Sequence, residues 1–268
     1  MIDCHTHCNH SHDGKATALQ MAQKAISLGL EYYAFTDHLD LDYLFLKDSY
    51  KNVPQLNIKA HCEEILALQQ QFKDKIYFAV GVECSYLKPA NPLYIDALSK
   101  YNFDIIVNSV HSIDGDDVYM PQCFEGKTQK EVYTKYALAV LESLDCPYPY
   151  DTVAHIGYVS RNAPFEQNYF DYYDFSDIID EILKKIISKQ KTLEVNTHAK
   201  GTKSNFLPNI DIIKRYKQLG GELITLSSDA HTPDRIGENF GATCQILQDI
   251  GYNYLVGYKQ HKPVMFKI

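Results

Sequence analysis

Short apolar runs alternate with amphipathic stretches along nearly the whole of this chain, and that alternation admits few folds. A short apolar run reads as a buried strand. A following stretch with apolar residues three and four apart reads as a helix that covers it, and repetition of the pair builds a parallel sheet or barrel. Strands are expected at Met1–Asp3, Tyr32–Thr36, Ile76–Val82, Ile105–Val110, Thr152–Ile156, Leu193–Thr197 and Leu223–Ser227. Helices are expected at Ala16–Leu28, Ile58–Phe72, Leu93–Lys100, Gln129–Leu144, Phe175–Lys189, Ile210–Gln218 and Ala242–Ile250, with Gly29 and Gly220-Gly221 as stop signals. Two short runs, Tyr254–Gly257 and Val264–Ile268, close the chain. A length of 268 residues accommodates one large barrel or two ordinary domains. With no linker and no low-complexity segment, the seven units point to one α/β barrel over residues 1–268, and the 45% apolar content is enough for its core.

The chemistry-bearing residues follow the strands. His5 and His7 come after the first, Asp37 and His38 after the second, and Glu83 ends the third. His111 ends the fourth, His155 the fifth, Asn196 and His198 the sixth, and Asp229 and His231 the seventh. The C-terminal ends of parallel barrel strands share one face, where barrel active sites lie, so these scattered positions become neighbours. Imidazole and carboxylate suit zinc, iron and manganese. In extended backbone, residues two apart point the same way, so His5 and His7 can aim at one ion, and Asp229 and His231 at one or two. A carboxylate such as Glu83 has two oxygens and can bridge two metals. Any one of these clusters alone would be weak evidence, and a lone histidine is more often structural. Seven clusters at seven strand ends are another matter. His61, inside an expected helix, and His261, near the C-terminus, are read as structural. His10 and His12 lie in the first loop and are left open.

Composition excludes other classes. Lys plus Arg is 26 against 34 for Asp plus Glu, a net charge of −8, so no overall field draws nucleic acid or an anionic membrane. No apolar run approaches the roughly 18 residues of a membrane span, and the first residues do not form a signal peptide. Seven scattered cysteines without a Cys-x-x-Cys pair read as reduced thiols of a cytoplasmic protein. An amide or lactone hydrolase on a two-metal barrel would often use a bridging lysine, and no lysine stands at an expected strand end. A purely structural zinc protein would not need so many converging ligands.

The segments DCHTHCNHSHDG at the start, FTDH at 35–38, GVE at 81–83, SVHSIDG at 109–115, AH at 154–155 and SDAH at 228–231 resemble the polymerase-and-histidinol-phosphatase (PHP) family, in the family's order and over nearly the whole chain. The resemblance implies a distorted (β/α)7 TIM-like barrel with a trinuclear metal site, about three divalent ions of zinc, iron or manganese. Within the family the SVHSIDG and EVNT segments suggest the histidinol-phosphate phosphatase branch. The resemblance places His5, His7, Glu83 and Asp229 on one metal, and Asp13, His38 and His231 on a second. A third shares Glu83 and adds His111 and His155. His12 is the alternative to Asp13.

The implied reaction is hydrolysis of a small phosphate monoester, L-histidinol phosphate, to L-histidinol and inorganic phosphate by a metal-bridging hydroxide. The alternative substrate is a nucleotide or other small phosphate ester. Arg161, in the loop after His155, is expected either to contact the phosphate or to form a surface salt bridge. Asn196 and His198 are expected to hydrogen-bond the phosphate. A couple of His231 with Asp229, or a metal-bound water, is expected to protonate the leaving oxygen. An ammonium and an imidazole on the substrate call for carboxylates and aromatic faces, which the loops with Asp40, Asp42, Tyr43, Asp114, Asp116 and Tyr119 supply, although each of these acids alone reads more readily as solvated loop.

Overall fold

A computed structural model describes residues 1–198 and 206–268. Seven parallel strands form the barrel: β1 Ile2–Thr6, β2 Tyr32–Phe35, β3 Tyr77–Ser85, β4 Ile105–Ser109, β5 Thr152–Val153, β6 Thr192–Asn196 and β7 Ile224–Ser227. Each pairs in parallel with the next. Beyond the paired region, the His7 N–H donates to the Ala230 carbonyl at 2.9 Å and the Asp229 N–H to the His5 carbonyl at 2.9 Å, which brings first and last strands together. The strands of β1, β2 and β7 are buried at every residue, as expected where side chains on one face fill the barrel and those on the other meet helices.

The helices are α1 Ala18–Ser27, α2 Ile58–Gln71, α3 Asn91–Leu98, α4 Gln129–Ser143, α5 Ser176–Ser188, α6 Ile210–Gln218 and α7 Phe240–Ile250. In α5, Ile179, Ile182, Leu183 and Ile186 are the buried residues, the three-and-four spacing of one apolar stripe. Thr17 with Gln20 and Thr128 with Glu131 form capping boxes that start α1 and α4. The seven strand–helix units expected from the sequence are thus present, with shifted ends. β1 runs on to Thr6, so His5 belongs to the strand rather than to the loop after it. β3 runs to Ser85, so Glu83 lies inside it. β5 has only two residues, so His155 lies past its end.

The last two runs form an antiparallel hairpin, β8 Tyr254–Lys259 with β9 Lys262–Lys267. It closes the N-terminal end of the barrel. The Tyr32 hydroxyl donates to the Tyr258 carbonyl (2.8 Å), the Gln260 N–H to Asp104 (2.9 Å), and His261 Nδ1 meets Asp151 (2.8 Å). His261 is therefore structural, as read from the sequence, and the opposite end of the barrel is left for the polar residues. Among the described residues no helix is long and apolar enough to cross a membrane.

Candidate metal centre

The first loop is built back over the barrel mouth. Asp37, just past β2, accepts the N–H groups of Cys8 (2.8 Å) and Ser11 (3.0 Å) on one oxygen. Gly14 ends the turn where a Cβ would stand 1.7 Å from the Cys8 carbonyl oxygen, so only glycine fits. This carries Asp13 to His231, Nε2 to Oδ2 3.1 Å, and to within 3.7 Å of His38. His12 lies beside the pocket with its ring 5.4 Å from that of His38. At the other end of the chain Asp229 adopts a left-handed backbone, φ 50°, held by Asp3, whose carboxylate accepts from Ser228 N–H and hydroxyl.

Glu83 is the hub. Its Oε1 lies 3.0 Å from His111 Nε2 and 2.9 Å from His155 Nε2. Its Oε2 lies 3.0 Å from His38 Nδ1, 3.2 Å from His5 Nε2 and 3.7 Å from His7 Nε2. Burial alone would raise the Glu83 pKa, but the surrounding His5, His111 and His38 outweigh it and hold the carboxyl well below its usual range. His5 and His7 approach Nε2 to Nε2 at 3.0 Å, and His7 Nε2 lies 3.3 Å from Asp229 Oδ1. Ligand atoms of His5, His7 and Asp229 converge within 4.8 Å, as do those of His38, Glu83 and His111, of His5, Glu83 and His155, of His7, His38 and His231, and of His198, Asp229 and His231. Although Glu83 Oε2 and His38 Nδ1 lie 3.0 Å apart and His231 Nε2 lies 3.1 Å from Asp13, none of these three buried atoms has a partner aligned for a hydrogen bond among the described residues. Buried nitrogens facing nitrogens, and a carboxylate oxygen crowded by imidazoles that are not aligned to donate to it, are costly arrangements for protein atoms alone and suitable ones for shared divalent cations. The residues therefore fit a divalent metal site.

Behind the ligands stand groups that set their orientation. Glu194, unrecognised in the sequence, accepts from His5 Nδ1 (2.7 Å), from the His155 N–H (2.6 Å) and from the Ser227 hydroxyl (2.6 Å). Strand alternation was the available signal, since Glu194 is two residues before Asn196 on β6 and shares its inward face. Asp40 lies 3.4 Å from His111 Nδ1, and the Asp229 carbonyl 3.0 Å from His231 Nδ1. His61 is fully buried, with Nε2 on the Gly81 carbonyl (2.9 Å) and Nδ1 3.1 Å from Asp37, a structural role as expected. His10 pairs with Glu64 at 2.8 Å, away from the centre.

Arg161 is buried rather than on the surface. Its Nη2 donates to Asn196 Oδ1 (2.9 Å) and Asp229 Oδ2 (2.9 Å), and its guanidinium lies 4.7 Å over the Tyr158 ring. The His198 N–H donates to Asn196 Oδ1 (3.0 Å), and its Nδ1 lies 3.3 Å from the Asp229 carbonyl. A cavity of about 420 Å³ joins the Glu83 cluster to Arg161, His198 and Tyr158, and reaches Tyr43, Asp117 and Tyr119. Of the acidic loop residues, Asp42 is bound to Ser85 and Ser112, Asp114 to Lys135 and Asp116 to Lys47. The acid on the pocket wall, besides the metal-site carboxylates, is Asp117, which accepts from the Tyr43 hydroxyl (2.5 Å) and the Tyr119 N–H (2.7 Å).

A parallel barrel with His and carboxylate ligands gathered at the strand C-termini, beside a buried arginine, defines a barrel metalloprotein with a polar small-molecule pocket. The PHP domain model matches residues 3–198, and the chain belongs to that family. The Clostridium acetobutylicum protein named Probable histidinol-phosphatase is 32% identical over 100% of this chain and 97% of its own length. The Lactococcus lactis Histidinol-phosphatase is 29% identical over 97% of this chain and 95% of its own. The crystal structure of histidinol phosphate phosphatase from Lactococcus lactis, complexed with zinc, L-histidinol and phosphate, superposes with a TM-score of 0.86 at 26% identity, covering 98% of each chain.

Proposed function

We propose that this protein is a metal-dependent phosphomonoesterase that hydrolyses L-histidinol phosphate to L-histidinol and inorganic phosphate. The observation that carries the reading is the Glu83 carboxylate, met on both oxygens by imidazoles, in one cavity with the buried Arg161. The full-length likeness to a zinc, histidinol and phosphate complex supports the substrate. The family resemblance implies about three metals, and the overlapping groups of converging ligand atoms leave room for more than one ion. His5, His7, Glu83 and Asp229 would hold one, Asp13, His38 and His231 a second, and Glu83, His111 and His155 a third. Zinc, iron and manganese all match this donor chemistry, and Asp13, 3.1 Å from His231, is a better ligand than His12. Bound metals supply Lewis-acid chemistry here, activating water and neutralising phosphoryl oxygens.

The chain's own groups do the rest. Arg161 offers guanidinium N–H groups to the phosphate, its Nε being buried and without a partner among the described residues. His198 adds a neutral hydrogen bond beside it, while Asn196, fully buried with its amide committed to Glu194, Asp229 and Arg161, holds Arg161 in place rather than meeting the phosphate as expected from the sequence. The departing alkoxide needs a proton; with His231 Nδ1 held on the Asp229 carbonyl and its Nε2 given to a metal, the His231–Asp229 couple would act as ligands, and water in the pocket is the donor left to return the proton. A pocket lined by Tyr43, Asp117 and Tyr119 suits a small cationic ester. The continuous core from Ile2 to Tyr258 supports one domain, and seven unpaired thiols support a cytoplasmic setting.

The test is a substrate panel on protein of measured metal content: histidinol phosphate, ethanolamine phosphate, nucleoside monophosphates and a single-stranded oligonucleotide. Histidinol phosphate is expected to have the highest kcat/KM. Preference for a nucleotide would overturn the substrate assignment while leaving the metal site standing.

A further inference from the structure

Ser11 lies under the first loop, 4% exposed, and its hydroxyl has one proton to give and two lone pairs to offer. Three polar groups meet its Oγ: Asp37 Oδ1 at 2.7 Å, the His38 N–H at 3.0 Å and His7 Nδ1 at 3.1 Å. The His38 N–H can only donate, so it takes one lone pair. Asp37 Oδ1 already accepts the N–H groups of Cys8 and Ser11, so it is an acceptor, and the Ser11 proton goes to it. What remains for His7 is the second lone pair. Nδ1 of His7 must then carry the ring hydrogen, which leaves Nε2 bare where it faces His5 Nε2 and Asp229 Oδ1.

We propose that Ser11, oriented by Asp37, locks His7 in the Nδ1–H tautomer and so presents Nε2 as a metal ligand. The proposal rests on the reading of His7 as a ligand given above. Ser11 is a positioning residue: it acts on the metal through the His7 ring. His5, two residues earlier within β1, is oriented by the carboxylate of Glu194 instead, so two neighbouring ligands are set by different chemistry. The lock is also tied to the scaffold, since the second Asp37 oxygen lies 3.1 Å from His61 of α2, whose Nε2 donates to Gly81 of β3. A loop serine thus connects the barrel wall to the centre.

The first measurement uses metal-free protein labelled with 15N-histidine. The two-bond 1H–15N correlation of His7, assigned by its absence in His7→Asn, is expected to show a protonated Nδ1 and a bare Nε2. A protonated Nε2 with bare Nδ1 overturns the proposal whether or not the protein binds metal. The second is zinc affinity by competition with a chromophoric chelator. Ser11→Ala is expected to weaken zinc binding about 10–100-fold, the usual effect of removing an orienting partner, and to mix the His7 tautomers. Unchanged affinity, or a lower thermal midpoint of the metal-free protein without loss of affinity, also overturns it. Failure of the unmodified protein to bind zinc would sink the metal reading, while the tautomer measurement would still decide the role of Ser11.

Discussion

Arg161 and Asp229 form a buried ion pair at the pocket wall, with Arg161 Nη2 2.9 Å from Asp229 Oδ2, while the other oxygen of Asp229 faces His7. One carboxylate therefore joins the cationic end of the pocket to the metal ligands. Burial by itself would lift the Asp229 pKa, but Arg161 and His5 hold it well below the usual range.

Arg161→Met should retain the metals and lower kcat/KM by roughly 100-fold, the size of one or two charge-assisted hydrogen bonds lost at a phosphate. Metal-free Arg161→Met should also be less stable by about 3 kcal/mol, because Asp229 is left buried without its partner. Steady-state kinetics, zinc analysis and denaturant melts check both. Unchanged kinetics would confine Arg161 to a structural role.

Glu83→Gln should release more metal than any single terminal histidine variant, such as His111→Asn. Both Glu83 oxygens lie among imidazoles from separate strands, so one substitution touches several ligand groups. Elemental analysis after gel filtration measures this. Equal metal loss in the two variants would contradict a bridging role.

Glu194→Gln should fold and still bind zinc, but about 10–100-fold more weakly. Glu194 does not face the cavity; it holds His5 and the backbone at His155. Loss of affinity at a thermal midpoint close to that of the unmodified metal-free protein is the expected pattern. Full affinity would show that the His5 ring is placed without it.

The Asp180–Arg215 pair between α5 and α6 gives a pH test away from the metals. The Arg215 hydrogen bonds, 2.8 Å at Nε and 2.5 Å at Nη2, hold the Asp180 carboxyl down at about 2 from 3.8. A depressed carboxyl stabilises the fold above its unfolded pKa and loses that contribution as pH falls through the folded one. Arg215→Met should thus lower stability slightly near neutrality, with the penalty shrinking between pH 4 and pH 2. Urea titrations of metal-free protein across that range measure it; a penalty that stays constant down to pH 2 would contradict the pairing.

The seven units were legible because apolar runs and three-and-four stripes alternate cleanly, as Ile179, Ile182, Leu183 and Ile186 illustrate. Strand ends were less legible because pairing partners decide them. β3 continues to Ser85 through its pairing with β4, and β5 stops after two residues although Ala154 and Ile156 are apolar. The candidate ligands stood out because their residue types recur at every strand end. Their supports did not. Glu194 and His5 are 189 positions apart and meet only when the barrel closes, and Ser11 gave no pattern of its own. Asp117, rather than its neighbour Asp116, lines the pocket, and sequence does not say which of two adjacent acids turns toward it.

The most direct test is phosphate release from histidinol phosphate by protein of known metal content, before and after chelation. The account predicts one phosphate and one histidinol per substrate, with kcat/KM above about 10⁴ M⁻¹s⁻¹. It also predicts activity lost with the metals and regained when zinc or manganese is returned. Hydrolysis that survives complete metal removal, or no release by fully loaded protein, would contradict it.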